Sequence, residues 1–142
     1  MRVENMTGPV QPNIGIHSYS SRKGVVPTAQ WEFDVSAFRD PMGQKQFQGK
    51  NGNIPEIVTW VCQDKRVPAV LDLCAILAED LLRPHMVNGA NKSICSWVSI
   101  AFKDTHGTMI APAVAEAVAD KLSNMGFIVA VSHHALPSAV KK

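Results

Sequence analysis

The chain has 142 residues, of which 46% are hydrophobic and 18% charged, and a net charge of +2. That length holds one sizeable core and leaves little room for a second, and the composition excludes a disordered or strongly polyelectrolyte chain. With so small a net charge, the basic pairs Arg22-Lys23, Lys65-Arg66 and Lys141-Lys142 read as solvated surface that permits an anionic ligand without requiring one.

Residues 1–12 carry Gly8, Pro9 and Pro12 among polar residues and predict a flexible arm; 13–137 predict one α/β domain; 138–142 form a basic tail. The start has no apolar leader and no window approaches the ~18 apolar residues of a membrane span, so a soluble, cytoplasmic protein without a membrane partner is expected. Cys62, Cys74 and Cys95 show no paired or zinc-type spacing and read as reduced thiols in apolar segments.

The alternation in 14–19 predicts a half-buried strand, followed by a polar loop over 18–24. Trp31-Glu32-Phe33-Asp34-Val35 repeats the strand pattern, and Asp40-Pro41 closes it. The Gly- and Gln-rich segment 42–53 has one large apolar residue, Phe47, and predicts a mobile surface loop. A helix follows, with Asn53 as its cap, Glu56 three residues on and Pro55 in the first turn. A longer helix carries Val67, Val70, Leu71, Cys74, Leu77 and Leu81 on one stripe and ends at Arg83-Pro84. The Ile-, Val- and Trp-rich run 93–102 predicts a central strand buried on both faces. A helix over 110–125, capped by Gly126, leads to a last strand at 127–131. The order β-β-α-α-β-α-β predicts a three-layer α/β domain with a mostly parallel sheet, the last two strands being neighbours joined through the helix.

Such sheets bind ligands outside the carboxyl ends of their strands. Three polar segments fall there. Lys103, Asp104, Thr105, His106, Gly107 and Thr108 lead into a helix N-terminus, where free N–H groups favour an anion. In that reading Gly107 admits a phosphate, the threonines offer hydroxyls and Lys103 a counter-charge; Asp104 dissents, suited to a sugar hydroxyl, an amine or Lys103 itself. In the alternative, the segment is a hinge and Thr108 only caps the helix. Ser132-His133-His134 offers one ligand-contacting histidine, His133, and one facing solvent; no further ligand is spaced for a metal, so none is expected. Ser18, Tyr19, Ser21, Arg22 and Lys23 complete the rim if the first strand is parallel to the others.

The series Phe33-Asp34-Val35, Asp40-Pro41, Asn51-Gly52, Ser99-Ile100-Ala101 with its loop, Ala115-Glu116 and the ending 129–136, VAVSHHAL, resembles the C-terminal domain of the RapZ family of RNase adapters. The resemblance covers about residues 14–136 and implies a phosphofructokinase-like, phosphosugar-binding domain that senses glucosamine-6-phosphate and contributes to small-RNA binding through oligomers. Thr105, Gly107, His133 and Asp34 match the family pattern. Lys103-Asp104 stand where it has Gly-Cys, His106 where it has another glycine, Met109-Ile110-Ala111 where it has His-Arg-Ser, and Ser36 where it has an arginine. Losing the arginine removes a planar, bidentate phosphate donor that a lysine or histidine does not replace. The P-loop-type N-terminal domain of the adapters has no counterpart in these residues, as expected of a standalone paralogue or a phage protein.

Four functions follow as expectations. The first is a non-catalytic module, needing no cofactor, that binds a small anionic metabolite, phosphosugar or nucleotide as a homo-oligomer. The second is an RNA-binding adapter, against which stand the low charge and the 6% aromatic content. The third is an enzyme using Asp104 with His106 or His133, for which no nucleophile or paired-carboxylate motif speaks. The fourth is an interaction protein with a decayed pocket.

Overall fold

The computed structural model describes residues 2–3, 13–84 and 97–137. Five strands, β1 (Arg2–Val3), β2 (Ile14–Ser20), β3 (Trp31–Asp34), β4 (Val98–Asp104) and β5 (Val129–His133), form one sheet in the order β1-β5-β2-β4-β3, every pair parallel. Helix α3 (Ile110–Asn124) lies on β2, β4 and β5, and helices α1 (Pro55–Val61) and α2 (Val67–Leu81) pack against α3. The domain thus has three layers, sheet, α3 and the α1–α2 pair. Among the described residues no helix is long and apolar enough to cross a membrane.

Strand alternation decides which residues reach the core. Ile14 and Ile16 of β2, Val98, Ile100 and Phe102 of β4, and Val129 and Val131 of β5 all enter one apolar cluster with α3. Because α3 is covered by the sheet on one side and by α1 and α2 on the other, it is built of small residues: Ala111, Ala113, Ala115 and Ala119 are all fully buried. Small side chains let backbone approach backbone from two sides at once. On α2 the inward stripe is Val67, Val70, Cys74 and Ala78, with Leu71 and Leu81 partly buried and Leu77 at the margin.

The sheet corrects the expected neighbourhood of the last two strands. β5 is parallel to β4 but pairs with β2, which lies between them, so the connection through α3 passes over β2. The middle strand is β2, not β4, and Trp97 stands just outside β4. The carboxyl ends of β2, β4 and β5 still share one edge: Ser20 pairs with Asp104, and Ser18 with both Phe102 and His133.

Two local expectations also change. Segment 42–53 is not a free loop; two short 3-10 turns, Pro41–Gly43 and Lys45–Phe47, bury the Phe47 ring edge-on against Trp60. Trp60 in turn lies under the Arg39 guanidinium, 3.8 Å from its ring centre. Helix α1 has Ile54 rather than Asn53 at its cap position, with no side-chain cap bond, and Pro55 fills the first turn where its missing N–H costs nothing. Met86, Cys95 and the tail 138–142 lie outside the described residues, as does the expected arm except Arg2–Val3, which pairs with Val129–Ala130.

Candidate functional site

β4 turns its last side chain, Asp104, inward, where it is 4% exposed. One carboxylate oxygen accepts the N–H of Gly107; the other accepts the N–H of Ala111, in the first turn of α3, at 2.7 Å. Asp104, rather than Thr108, is therefore the residue that satisfies the start of the helix. Met109 occupies the cap position with no side-chain bond. The acid also brings a full negative charge to the positive end of the dipole, the place where an anionic ligand was expected.

Glycines clamp the loop on both flanks. Gly107 has φ +74, and a Cβ there would stand 2.6 Å from the backbone nitrogen of Ser20 and 2.8 Å from Ala135 Cβ. On the other flank Gly52 donates its N–H to the Thr108 carbonyl at 2.8 Å, and a Cβ on Gly52 would lie 1.9 Å from the Met109 carbonyl oxygen. Gly107 is thus needed for the loop to pack on β2, before any ligand is considered.

Between these clamps a cleft with about 480 Å³ of empty space, part of it open to solvent, is lined by Ser36, Asp40, Met42, Asp104, Thr105, His106, Thr108, Met109 and Ile110. The Ser36 hydroxyl donates to Asp34 at 2.6 Å, and its N–H donates to the same oxygen; these bonds hold the Asp34 carboxyl below its ordinary range. Asp40 accepts the Met42 N–H at 2.9 Å. No acceptor among the described residues meets the N–H groups of Thr108, Met109 and Ile110.

Of the residues singled out in sequence, Asp104, Thr105, His106 and Thr108 line this cleft. Lys103 does not: consecutive side chains on a strand face opposite ways, and its ammonium reaches Glu32 at 3.4 Å, the carboxylate that also accepts the Tyr19 hydroxyl. Arg22 and Lys23 are exposed beyond β2, outside the lining; their N–H groups donate to Ser20 Oγ at 3.1 and 3.3 Å.

Ser18 and His133 come together, but inside the protein. Ser18 Oγ lies 2.7 Å from His133 Nδ1, and His133 Nε2 lies 2.6 Å from Glu116 Oε2 on α3. A tautomer with the proton on Nε2 satisfies all three groups: Nε2–H donates to the carboxylate and the serine hydroxyl donates to Nδ1. The order Ser-His-Glu resembles a nucleophile relay, yet Ser18 has no exposed surface, so no substrate reaches it. His134 does not face solvent alone; it stacks on His17, Nε2 to Nδ1 at 2.9 Å. Burial, and then the neighbouring histidine, push both of these imidazoles below their ordinary pKa. Among the described residues no three His, Cys, Asp or Glu side chains converge as a metal set. Burial raises the Cys74 thiol to about 12 and also raises Cys62, so neither is primed as a nucleophile.

Sequence reading missed Ser36, Asp40 and Met42 as cleft residues and Glu116 as a partner of His133. Glu116 did leave a signal, a lone carboxylate within the apolar run 110–119, which a buried helix carries only if something pairs it. Ser36 and Asp40 left none, because they reach the cleft through a tertiary contact.

A parallel sheet with its strand-end loops gathered around a polar cleft, and with its titratable interior groups bonded to one another, defines an α/β domain organised around that cleft. The chain belongs to the RapZ C-terminal domain family, whose sequence pattern matches residues 12–137. It is also similar to a nucleotide-binding protein of Zymomonas mobilis, 27% identical over 128 residues, a stretch that is 89% of this chain and 38% of that protein. The chain thus spans well under half the length of this relative.

Proposed function

We propose that this chain is a non-catalytic module that holds a small polar metabolite in the cleft between 104–110 and 36–42 and works as a homo-oligomer. The observation that carries the reading is the cleft at the start of α3, which Thr105, His106 and Thr108 line together with Ser36 and Asp40 from the facing segment. A phosphosugar is the ligand class that the family resemblance implied, and the Zymomonas relative is described as nucleotide-binding. Both ligand classes combine sugar hydroxyls with phosphate.

Asp104 sets how such a ligand lies. A unit negative charge about 5 Å from the carboxylate meets roughly 3 kcal/mol of repulsion at an effective dielectric of about 20, against about 0.3–1 kcal/mol from the helix dipole. The carboxylate wins. Hydroxyl or amine groups of the ligand, which can donate to a carboxylate, therefore face Asp104 and Asp40, and any phosphate sits at the mouth near His106. Among the described residues no lysine or arginine lines the cleft, Lys103, Arg22 and Lys23 all lying outside it, so the cleft itself lends no support to an RNA-binding role.

Calorimetry against sugar phosphates, nucleotides, cyclic nucleotides and the unphosphorylated parent sugars tests the reading. Expected is a member of the panel whose parent compound retains affinity within about tenfold, a loss of about 1.4 kcal/mol. Binding of the phosphate alone, with none of the parent, overturns the orientation. No binding across the panel overturns the function and leaves the loop as a hinge.

A further inference from the structure

The wall of the cleft that faces the 104–110 loop includes the segment 36–40, which follows β3 and belongs to no helix or strand. Its two cleft residues are Ser36 and Asp40. Irregular backbone keeps a fixed position where its own N–H and C=O groups are tied to another element. Here such ties fall between those two residues, on Ala37 and Arg39, and both come from the turn between α1 and α2.

Asp64 and Arg66 make the ties as one unit. Asp64 Oδ2 accepts the Arg39 N–H at 2.7 Å. The Arg66 side chain donates to both carboxylate oxygens of Asp64, Nε to Oδ1 at 2.9 Å and Nη2 to Oδ2 at 2.7 Å. The same Nη2 donates to the Ala37 carbonyl at 2.7 Å, and the Arg66 backbone N–H closes the turn on Oδ1 at 2.8 Å. Nη2 carries two hydrogens, so it serves the carboxylate and the carbonyl at once within one planar fork, which a lysine ammonium does not reproduce. Arg66 also lies 4.8 Å over the Phe38 ring. An acceptor and a donor of the wall, two residues apart, thus end on one ion pair, and Ser36 and Asp40 are their immediate neighbours in the chain.

The Asp64 side chain is 7% exposed and that of Arg66 53%. An ion pair so open on one side adds little to global stability. What its geometry holds is the wall.

We propose that Asp64 and Arg66 are positioning residues of the cleft: together they fix the wall 36–40 against the loop 104–110 and so set how tightly Ser36 and Asp40 engage a bound metabolite. The inference rests on the cleft being the binding site and adds to it a control point outside the lining. Polar contacts tolerate only about 0.5 Å of misplacement, so a wall freed at 37 and 39 loses affinity without loss of fold.

Arg66→Lys keeps the charge and removes the fork, and Lys65→Ala is the control for charge in the same turn. In the unliganded protein, hydrogen exchange at the Arg39 amide should quicken at least about tenfold in Arg66→Lys while the amides of β4 keep the parent's rates. Urea midpoints should agree within about 0.3 M. Calorimetry with each sugar phosphate and nucleotide that binds the parent should show affinity lowered about tenfold in Arg66→Lys and unchanged in Lys65→Ala. An Arg39 amide that exchanges as in the parent, or that quickens by the same factor as β4, overturns the proposal, as does parental affinity in Arg66→Lys. No binding across the panel overturns the proposed function alone, and the Arg39 amide then decides by itself whether the pair holds the wall.

Discussion

On the flank of the 104–109 loop that faces β2 and β5, the polar side chains end on one another: Ser18 on His133, His133 on Glu116, and Ser20 on the Thr105 carbonyl at 2.7 Å. On the flank that faces 36–42, Thr105, His106 and Thr108 border open space. The same residue types supply both flanks, and what separates them is whether a second element closes over them. α3 and β5 seal the first, so its hydroxyl, imidazole and carboxylate contribute cohesion. The second is kept open because Gly52 and the Pro41–Gly43 turn hold neighbouring chain at its edge instead of across it.

If the sealed flank is cohesion, damage there should unfold the protein, and the largest effect is expected at its tightest contact. Gly107→Val adds left-handed strain to a Cβ that meets Ser20 nitrogen at 2.6 Å and should cost about 4 kcal/mol. Urea unfolding checks this, and a variant within about 1 kcal/mol of the parent would show that the loop is free to move. Asp104→Ala leaves the Gly107 and Ala111 N–H groups without their acceptor. About 3 kcal/mol is expected, more than an exposed cap is worth, because the acceptor is both charged and buried. Glu116→Ala strands His133 Nε2–H beneath α3, with about 2 kcal/mol expected in the same assay.

Parts of this architecture were legible in sequence because they are local. The alternation of Ile14, Ile16 and Ser18 marked a strand, and the apolar stripe of 110–125 marked α3 to within a residue. Strand order was not legible: nothing local tells β5 to pair with β2 rather than β4, since both offer parallel, apolar edges. The site divided the same way. That 103–108 would lie at a strand end followed from its position between β4 and α3. That Asp104 would turn inward and Lys103 outward depended on a strand that runs two residues further than expected, to 104 rather than 102, which fixes the alternation. Phe47 looked isolated in its polar segment because its partner, Trp60, lies on another element.

The His17–His134 stack sits at the rim of the sealed flank and gives a smaller effect that depends on pH. Both imidazoles have pKa values lowered below the ordinary 6.5, burial being the main cause. The folded protein then resists a proton that the unfolded chain accepts, so this part of the stability is complete above pH ~6.5 and drains away as pH falls toward the folded values. Thermal unfolding scanned from pH 7.5 to 5 should show a loss of a few degrees that shrinks but does not vanish in His17→Asn, because His134 keeps the lowering that burial and His133 give it. An unchanged pH slope in that variant would assign the loss to other groups.

The smallest effect on stability is expected on the open flank, where it carries the most information about function. Thr105 and His106 line the cleft, while the bond that anchors this part of the loop runs from Ser20 Oγ to the Thr105 backbone carbonyl, which no change of the Thr105 or His106 side chain removes. Thr105→Val and His106→Ala should therefore unfold within about 0.5 kcal/mol of the parent, as surface substitutions do. Their effect on a ligand should be much larger, since each removes a donor from a cleft that has few: about tenfold in affinity for Thr105→Val. In the proposed orientation, with phosphate at the mouth and hydroxyls toward Asp104, His106→Ala should weaken the phosphorylated member of a ligand pair more than its unphosphorylated parent. Calorimetry on the two variants with the matched pair measures that difference directly. Equal losses for both ligands would place the phosphate away from His106, and a loss of folding stability in either variant would mean that the two flanks are not the separate structures their hydrogen bonds describe.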